Sequence, residues 1–204
     1  MTRRLGIVAL LALLSLASAC VLVPPASTPS PPVQAVDNPE AAWRDRQAAL
    51  NYIKVWTVQA RMAAEGRGWS GSLWWQQQGE YLDLRVSGPL GVGGVRARGT
   101  LSRVEVQTGN ERFTTDDPEA VFRERVGWPL PVRGLRWWAL GLPDPTTRAR
   151  TELDARGRLA RLEQHGWRVD YPEYQGAPAV EVPRRLLLTN GEISLRVVID
   201  SWKF

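Results

Sequence analysis

From Val55 onward, apolar residues fall on every second position in one short run after another, and this alternation constrains the fold more than any other feature of the chain. Trp56, Val58, Ala60 and Met62 share one face, and Thr57, Gln59 and Arg61 the other. Leu73 and Trp75 continue the pattern, followed by Leu82, Leu84 and Val86 against Tyr81, Asp83 and Arg85, then by Val104 and Val106 against Glu105 and Gln107. Successive side chains of a strand point to opposite faces, so each run predicts a strand with one side buried and the other wet. Glycine-bearing turns separate the runs, which predicts antiparallel neighbours. Asn190-Gly191, between Leu186–Thr189 and Ile193–Ile199, predicts a type I′ hairpin, a turn that needs positive φ at both central residues.

Helices interrupt and precede the strands. Asn38-Pro39-Glu40 combines a capping side chain, a proline at the first helical position and a carboxylate in the first turn, predicting a helix to about Leu50. Asp117-Pro118-Glu119 repeats that signature and leads through Val121 and Phe122 to Gly127; after Pro131 a shorter helical stretch carries Leu135, Trp137, Trp138 and Leu140 before Gly141. The expected architecture is mainly β with helices: one curved antiparallel sheet whose concave side is covered by the helices. Ten tryptophans against three phenylalanines and four tyrosines need a place in such a fold. Two readings stay open, ordinary core or the wall of an apolar ligand cavity. Trp56, Val58, Met62, Leu73, Trp75, Leu82, Leu84 and Val86 are the candidate wall, closed by Trp137, Trp138 and Leu140.

The beginning of the chain is of another kind. Arg3 and Arg4 precede an uncharged apolar run from Leu5 to Leu16, then Ala17-Ser18-Ala19-Cys20. A positive start, an apolar core short for a bilayer span and small residues before a cut site predict a signal peptide over residues 1–19. Cys20 is the only cysteine, so no disulfide within the chain explains it. Its position fits bacterial lipoprotein processing, with a diacylglycerol on the sulfur and an acyl chain on the new amine; two or three chains at about 0.8 kcal/mol per CH2 would anchor it stably. The alternative is an ordinary cut after Ala17-Ser18-Ala19, since Leu16 stands four residues before the cysteine rather than three. Val21 follows Cys20 where an aspartate commonly signals inner-membrane retention, which favours the outer membrane. Residues 20–37 then read as lipidated cysteine and a proline- and serine-rich tether rising about 3.1 Å per residue, and residues 38–204 as one domain. Loss of Arg3 and Arg4 with the signal leaves 24 basic against 21 acidic residues, lowering the formal charge from +5 to +3. The remaining arginines are dispersed, and nothing in the sequence points to nucleic acid.

Two further segments bear on function. Gly88-Pro89-Leu90-Gly91-Val92-Gly93-Gly94-Val95 sets a leucine and two valines among four glycines and a proline, predicting a loop rather than a packed strand. Its leucine either reaches a lipid interface or folds back onto the core. Catalytic signals are weak. The single histidine, His165, lies in a Gln164-His165-Gly166 turn, Asp116-Asp117 is better explained by a helix cap, and Gly68-Trp69-Ser70-Gly71-Ser72 has the wrong glycine spacing for a nucleophile elbow. There is no phosphate-binding glycine loop.

Trp43-Arg44, Leu73-Trp74-Trp75-Gln76-Gln77, Gly88-Pro89-Leu90-Gly91 and the run from Phe113 to Glu119 occur in an order, continued by Pro129-Leu130-Pro131, Leu135 to Pro143 and Asp200-Ser201-Trp202, that resembles the LolB family of outer-membrane lipoprotein receptors. The resemblance implies an incomplete, unclosed antiparallel β-barrel with a helical lid over an apolar cavity. It also implies a non-enzymatic function, the transfer of acylated lipoproteins from the periplasmic carrier LolA to the outer membrane without nucleotide hydrolysis. It assigns Pro89, Leu90 and Gly91 to a membrane-insertion loop and Cys20 to lipid attachment, on a monomer held at the periplasmic face, with no cofactor beyond its covalent acyl chains. A lipid-anchored assembly or lipid-binding factor with an apolar cleft would carry the same patterns.

Overall fold

The computed structural model describes residues 35–89, 94–176 and 181–204. The signal peptide, Cys20, residues 21–34 of the tether, Leu90 and Gly91 lie outside the described residues.

Alternation becomes one sheet of eleven strands. After helix α1 (Pro39–Asn51) come β1 (Val55–Glu65), β2 (Trp69–Gln78), β3 (Tyr81–Ser87), β4 (Val95–Thr100), β5 (Arg103–Thr108) and β6 (Glu111–Thr115). Helices α2 (Pro118–Val126) and α3 (Val132–Trp138) follow, then β7 (Arg150–Leu153), β8 (Leu159–Gln164), β9 (Trp167–Gly176), β10 (Glu181–Thr189) and β11 (Ser194–Lys203). The spatial order is β6-β5-β4-β3-β2-β1-β11-β10-β9-β8-β7, with β1 and β11 paired at the centre and every pair antiparallel. The edges, β6 and β7, are consecutive strands of the chain that do not pair, and α2 and α3 lie in the segment between them. Strand twist curls a sheet this wide toward a barrel. Here the barrel stays unclosed.

Inward positions of the strands and the apolar residues of the helices form one continuous core. In β1 the buried residues are Trp56, Val58, Ala60, Met62 and Ala64, the predicted face extended by one position. Phe122 of α2 and Val132, Leu135 and Trp138 of α3 join the same cluster, as do Leu186, Leu188, Leu195, Val197 and Ile199 from β10 and β11. Each large side chain removed from water contributes about 1.5–3 kcal/mol, which is what holds the short helices against the sheet.

Local signals act as the sequence predicts at the two capped helices. Asn38 Oδ1 accepts from the Ala41 N–H at 2.9 Å, and Asp117 Oδ1 from the Ala120 N–H at 3.0 Å. Helix α3 has no capping side chain of its own. The Arg133 N–H in its first turn instead donates to Glu119 Oε1 of α2 at 3.0 Å, which ties the two helices together. Burial pushes the Glu119 carboxyl up, opposed by that hydrogen bond and by the Arg133 charge.

Three expectations need correction. The type I′ geometry is found at His165-Gly166, with φ of 53° and 74° between the paired residues Gln164 and Trp167. At Asn190-Gly191 only Gly191 has positive φ, and a four-residue loop separates the paired Thr189 and Ser194. Asn190 Oδ1 accepts from the N–H groups of Glu192 and Ile193 at 3.0 and 3.1 Å, a side-chain turn that replaces the backbone one. Val95, placed by composition in a loop, is a buried strand residue opposite Val86. Leu140 lies beyond the end of α3, in the turn that leads to Gly141.

The two rims of the half-barrel differ. One carries the start of β1, the 79–80 turn, the β7–β8 turn and Phe204. Helix α1 lies on it: the Val36 N–H donates to the Ala155 carbonyl at 2.9 Å, and Gly157, at φ 68°, lies so close to Pro39 and Trp43 that a Cβ would strike their backbone. Arg46 of α1 donates to the Glu181 carbonyl, and Arg46 and Arg158 approach the Tyr174 ring to 5.4 and 4.4 Å. The opposite rim carries Gly88, Pro89 and Gly94, the His165-Gly166 turn and the β10–β11 loop.

Candidate functional site

The inward face of β1, β2 and β3 brings eight of the predicted wall residues together. Trp56, Val58, Met62, Leu73, Trp75, Leu82, Leu84 and Val86 are all at most 3% exposed. The Trp56 and Trp75 rings lie 5.5 Å apart, tilted by 50°. From the helical side Trp138 and Leu140 are buried in the same cluster. Trp137 packs against the edge of that cluster and stays half-buried: one residue further round a helix turns the side chain by about 100°, and the Arg136 guanidinium lies 5.0 Å from its ring.

Sequence alternation missed the other half of this surface. Leu159 and Leu162 of β8, Val169 and Tyr171 of β9 and Val182 of β10 are buried in the same cluster. Irregular spacing hid the pair in β8, for Leu159 and Leu162 are three apart on a strand whose pairing shifts register next to Leu159, while Val169 and Tyr171 continue from Trp167 with an ordinary period of two that the sequence did carry.

Polar groups within the cluster are few and directed. Trp75 Nε1 donates to Gln77 Oε1 at 2.9 Å, and Gln77 passes a hydrogen bond to the Gly79 carbonyl. Gln164 fastens the helices to the sheet: its Oε1 accepts from Trp138 Nε1 at 3.0 Å and from the Asp144 N–H at 2.8 Å, and its Nε2 donates to the carbonyls of Asp144 and Thr147. His165 lies beside it, with Nε2 2.8 Å from Asp144 Oδ2. Burial alone would raise the Asp144 carboxyl, but hydrogen bonds from Thr146 and His165 outweigh it and hold the group below the usual carboxylate range. The histidine therefore acts as a fastening at the edge of the helical cover. Trp128 Nε1, Trp202 Nε1 and the Tyr171 hydroxyl are buried without a hydrogen-bond partner among the described residues. Buried donors of this kind favour a ligand that brings acceptor oxygens into apolar surroundings.

A separate groove of about 1110 Å³ opens at the rim of the β10–β11 loop, lined by charged and polar groups that include Arg148, Arg150, Glu163 and Arg168. Its lining does not suit acyl chains, and the apolar face is the better candidate site. Of the predicted insertion loop, Pro89 is exposed at the end of β3, where the Val86–Val95 pair closes the ladder below it. Among the described residues no three His, Cys, Asp or Glu side chains are grouped to hold a metal.

The residues that build this sheet have close counterparts. Residues 54–202 match the family described as outer membrane lipoprotein LolB. The outer-membrane lipoprotein LolB of Stutzerimonas stutzeri is 36% identical over 177 residues, covering 84% of this chain and 86% of that protein. The protein of the same name from Pseudomonas aeruginosa is 37% identical over 164 residues, 79% of this chain and 80% of its own. With the match running from the first residues of β1 almost to the end of β11, the chain belongs to the LolB family.

Proposed function

We propose that this chain is an outer-membrane lipoprotein receptor that accepts acylated lipoproteins from the periplasmic carrier LolA and delivers them to the outer membrane without nucleotide hydrolysis. The observation that carries the reading is the continuous apolar surface between an unclosed sheet and two short helices. An acyl chain of about 16 carbons exposes many CH2 groups, each costing about 0.8 kcal/mol in water, so cargo needs a protein surface throughout its crossing. Parting of α2 and α3 from the sheet would open that surface at the seam between β6 and β7 without breaking a ladder hydrogen bond. The wall residues Trp56, Val58, Met62, Leu73, Trp75, Leu82, Leu84 and Val86 would then meet the chains, with Trp138, Leu140 and Trp137 on the moving side. The ester and amide carbonyls of the acylated cysteine would supply the acceptors that Trp128, Trp202 and Tyr171 lack.

The receptor itself is anchored, on this reading, by acyl chains on Cys20 after removal of residues 1–19, with residues 20–37 as tether and residues 38–204 as the lipoprotein-binding domain, acting as a monomer at the periplasmic face. Pro89, Leu90 and Gly91 form the membrane-insertion loop. Transfer is directional because each successive site offers the acyl chains a lower free energy, so no catalytic residue is required. The test is a transfer assay with carrier, acylated lipoprotein and liposomes. Leu90→Glu should still take cargo from the carrier but deliver it poorly; a wild-type chain that never takes cargo from the carrier would overturn the receptor reading.

A further inference from the structure

Resting on that outer-membrane placement, we propose that the rim bearing α1 is a membrane-contact surface for anionic lipid head groups, separate from the inward face and from the rim bearing Pro89 and Gly94. The first observation is the distribution of lysine. Of 26 basic side chains only two are lysines, Lys54 and Lys203, and both lie on this rim. The Lys54 carbonyl accepts from the Gly79 N–H at 2.8 Å, while Lys203 pairs with Thr57 across the β1–β11 ladder. Both are exposed, and among the described residues neither forms an ion pair, whereas arginines of the outward face such as Arg61, Arg96 and Arg161 are matched to aspartates. The neighbouring carboxylate, Glu80, is already held by Arg136 at 2.8 Å, and that hydrogen bond is the main reason its carboxyl lies below the usual range.

The second observation is apolar. The large hydrophobic side chains exposed among the described residues are Val36, Tyr52, Val55, Tyr81 and Phe204, and each lies on or beside this rim; Tyr52 is 86% and Val55 55% exposed. Tyr81, Val55 and Phe204 sit at the ends of neighbouring strands, with Gln78 paired to both Val55 and Tyr81. Behind them a series of rings leads inward, from Phe204 to Trp202 at 5.3 Å, to Trp56 at 5.5 Å and to Trp75 at 5.5 Å. Lysines beside tyrosines and other aromatics over an apolar base is the composition that suits the head-group level of a bilayer. A single cluster of exposed apolar side chains of this kind marks an interaction site.

The occupant is a lipid surface because the chain that leads to Cys20 enters the domain here, through the Val36–Ala155 hydrogen bond. β1 has eleven residues, so the opposite rim stands roughly 33 Å away. With the α1 rim resting on the bilayer, the rim bearing Pro89 and Gly94 faces the aqueous side from which a carrier arrives, and delivery at that rim includes a turning of the domain.

The test is co-sedimentation of the full mature chain carrying Cys20→Ala, which lacks its own acyl chains, with vesicles of phosphatidylethanolamine and phosphatidylglycerol at low salt. Lys54→Gln with Lys203→Gln should weaken binding about 25-fold, roughly fivefold for each lysine near an anionic surface. Tyr52→Ser with Phe204→Ser should weaken it as well. Arg67→Gln with Arg148→Gln, the same charge change at the opposite rim, should alter it less than about twofold. All six positions are exposed, so unchanged thermal midpoints will certify folding. Equal losses from the two charge pairs, a lysine pair that binds like the parent, or a parent that does not bind would each overturn the proposal. Cargo uptake from the carrier in solution should be unchanged by the lysine pair; its absence in the parent would count against the receptor reading and leave the vesicle result standing.

Discussion

The two faces of one strand, β3, obey different rules. Leu82, Leu84 and Val86 point into the core with exposure of 1% or less, while Tyr81, Asp83 and Arg85 alternate with them on the outward side. Inward, each side chain helps hold the fold and, on the proposed function, also forms the surface offered to acyl chains, so mutation there would change stability and function together. Outward, Asp83 accepts from Arg96 at 2.7 and 3.0 Å and lies 3.2 Å from Arg98, and Arg85 lies over the Trp74 ring. Asp83 itself is largely covered, but the guanidinium groups around it are reached by water, and these contacts contribute less.

The comparison predicts a descending series. Trp75→Ala should cost about 3–5 kcal/mol, read as a lower urea midpoint with unchanged slope, because it empties a wholly buried site and removes the donor to Gln77. Asp83→Asn should cost about 1–2 kcal/mol by the same measurement, since it weakens a charge-assisted pair whose carboxylate side chain is only 11% exposed. Acid should act through the same group. Burial would raise the Asp83 carboxyl, but Arg96, Arg98 and Arg85 outweigh it and depress it, as local hydrogen bonds do for Asp144 and Asp154. A depressed carboxylate contributes stability that is present above its unfolded pKa and lost as pH falls through its folded one. The thermal midpoint should therefore drop below about pH 4, and less steeply in Asp83→Asn. Glu119, raised by burial, contributes the opposite sign and should blunt the fall slightly. The smallest effect belongs to Arg61→Ala, whose exposed pair with Asp200 at 2.8 Å should leave the urea midpoint unmoved. A large loss there, or a small one at Trp75, would break the distinction between the faces.

What the sequence revealed followed from how local each signal is. The alternation in β1 to β3 and β5, and the caps at Asn38 and Asp117, depend on neighbours within a few residues and were legible as written. The choice between the two hairpins was not, because it depends on register: at Asn190 the side chain captures two N–H groups and keeps its own φ out of the positive region, while His165 accepts positive φ where Gln164 and Trp167 pair. In the second half of the inward face β8 was hidden by its irregular spacing, whereas Trp167, Val169 and Tyr171 of β9 alternate with Arg168 and Asp170 and carried a legible period of two. The contacts that secure the cover, Gln164 to Trp138 and Glu119 to Arg133, join residues 26 and 14 positions apart and leave no mark in a pattern read along the chain. The difference in burial between Trp137 and Trp138 follows from helical geometry, which adjacency in sequence conceals.

On the proposed function, acyl chains lie against the inward face. The most direct measurement is tryptophan emission on addition of an acylated lipopeptide whose chains carry bromine, which quenches indoles only at contact. The account predicts strong quenching by the brominated peptide, none by its unbrominated counterpart, and a clear reduction when Trp56 and Trp138 are each replaced by Phe. Emission that is insensitive to bromine, or quenching that survives those replacements undiminished, would place the chains elsewhere and contradict it.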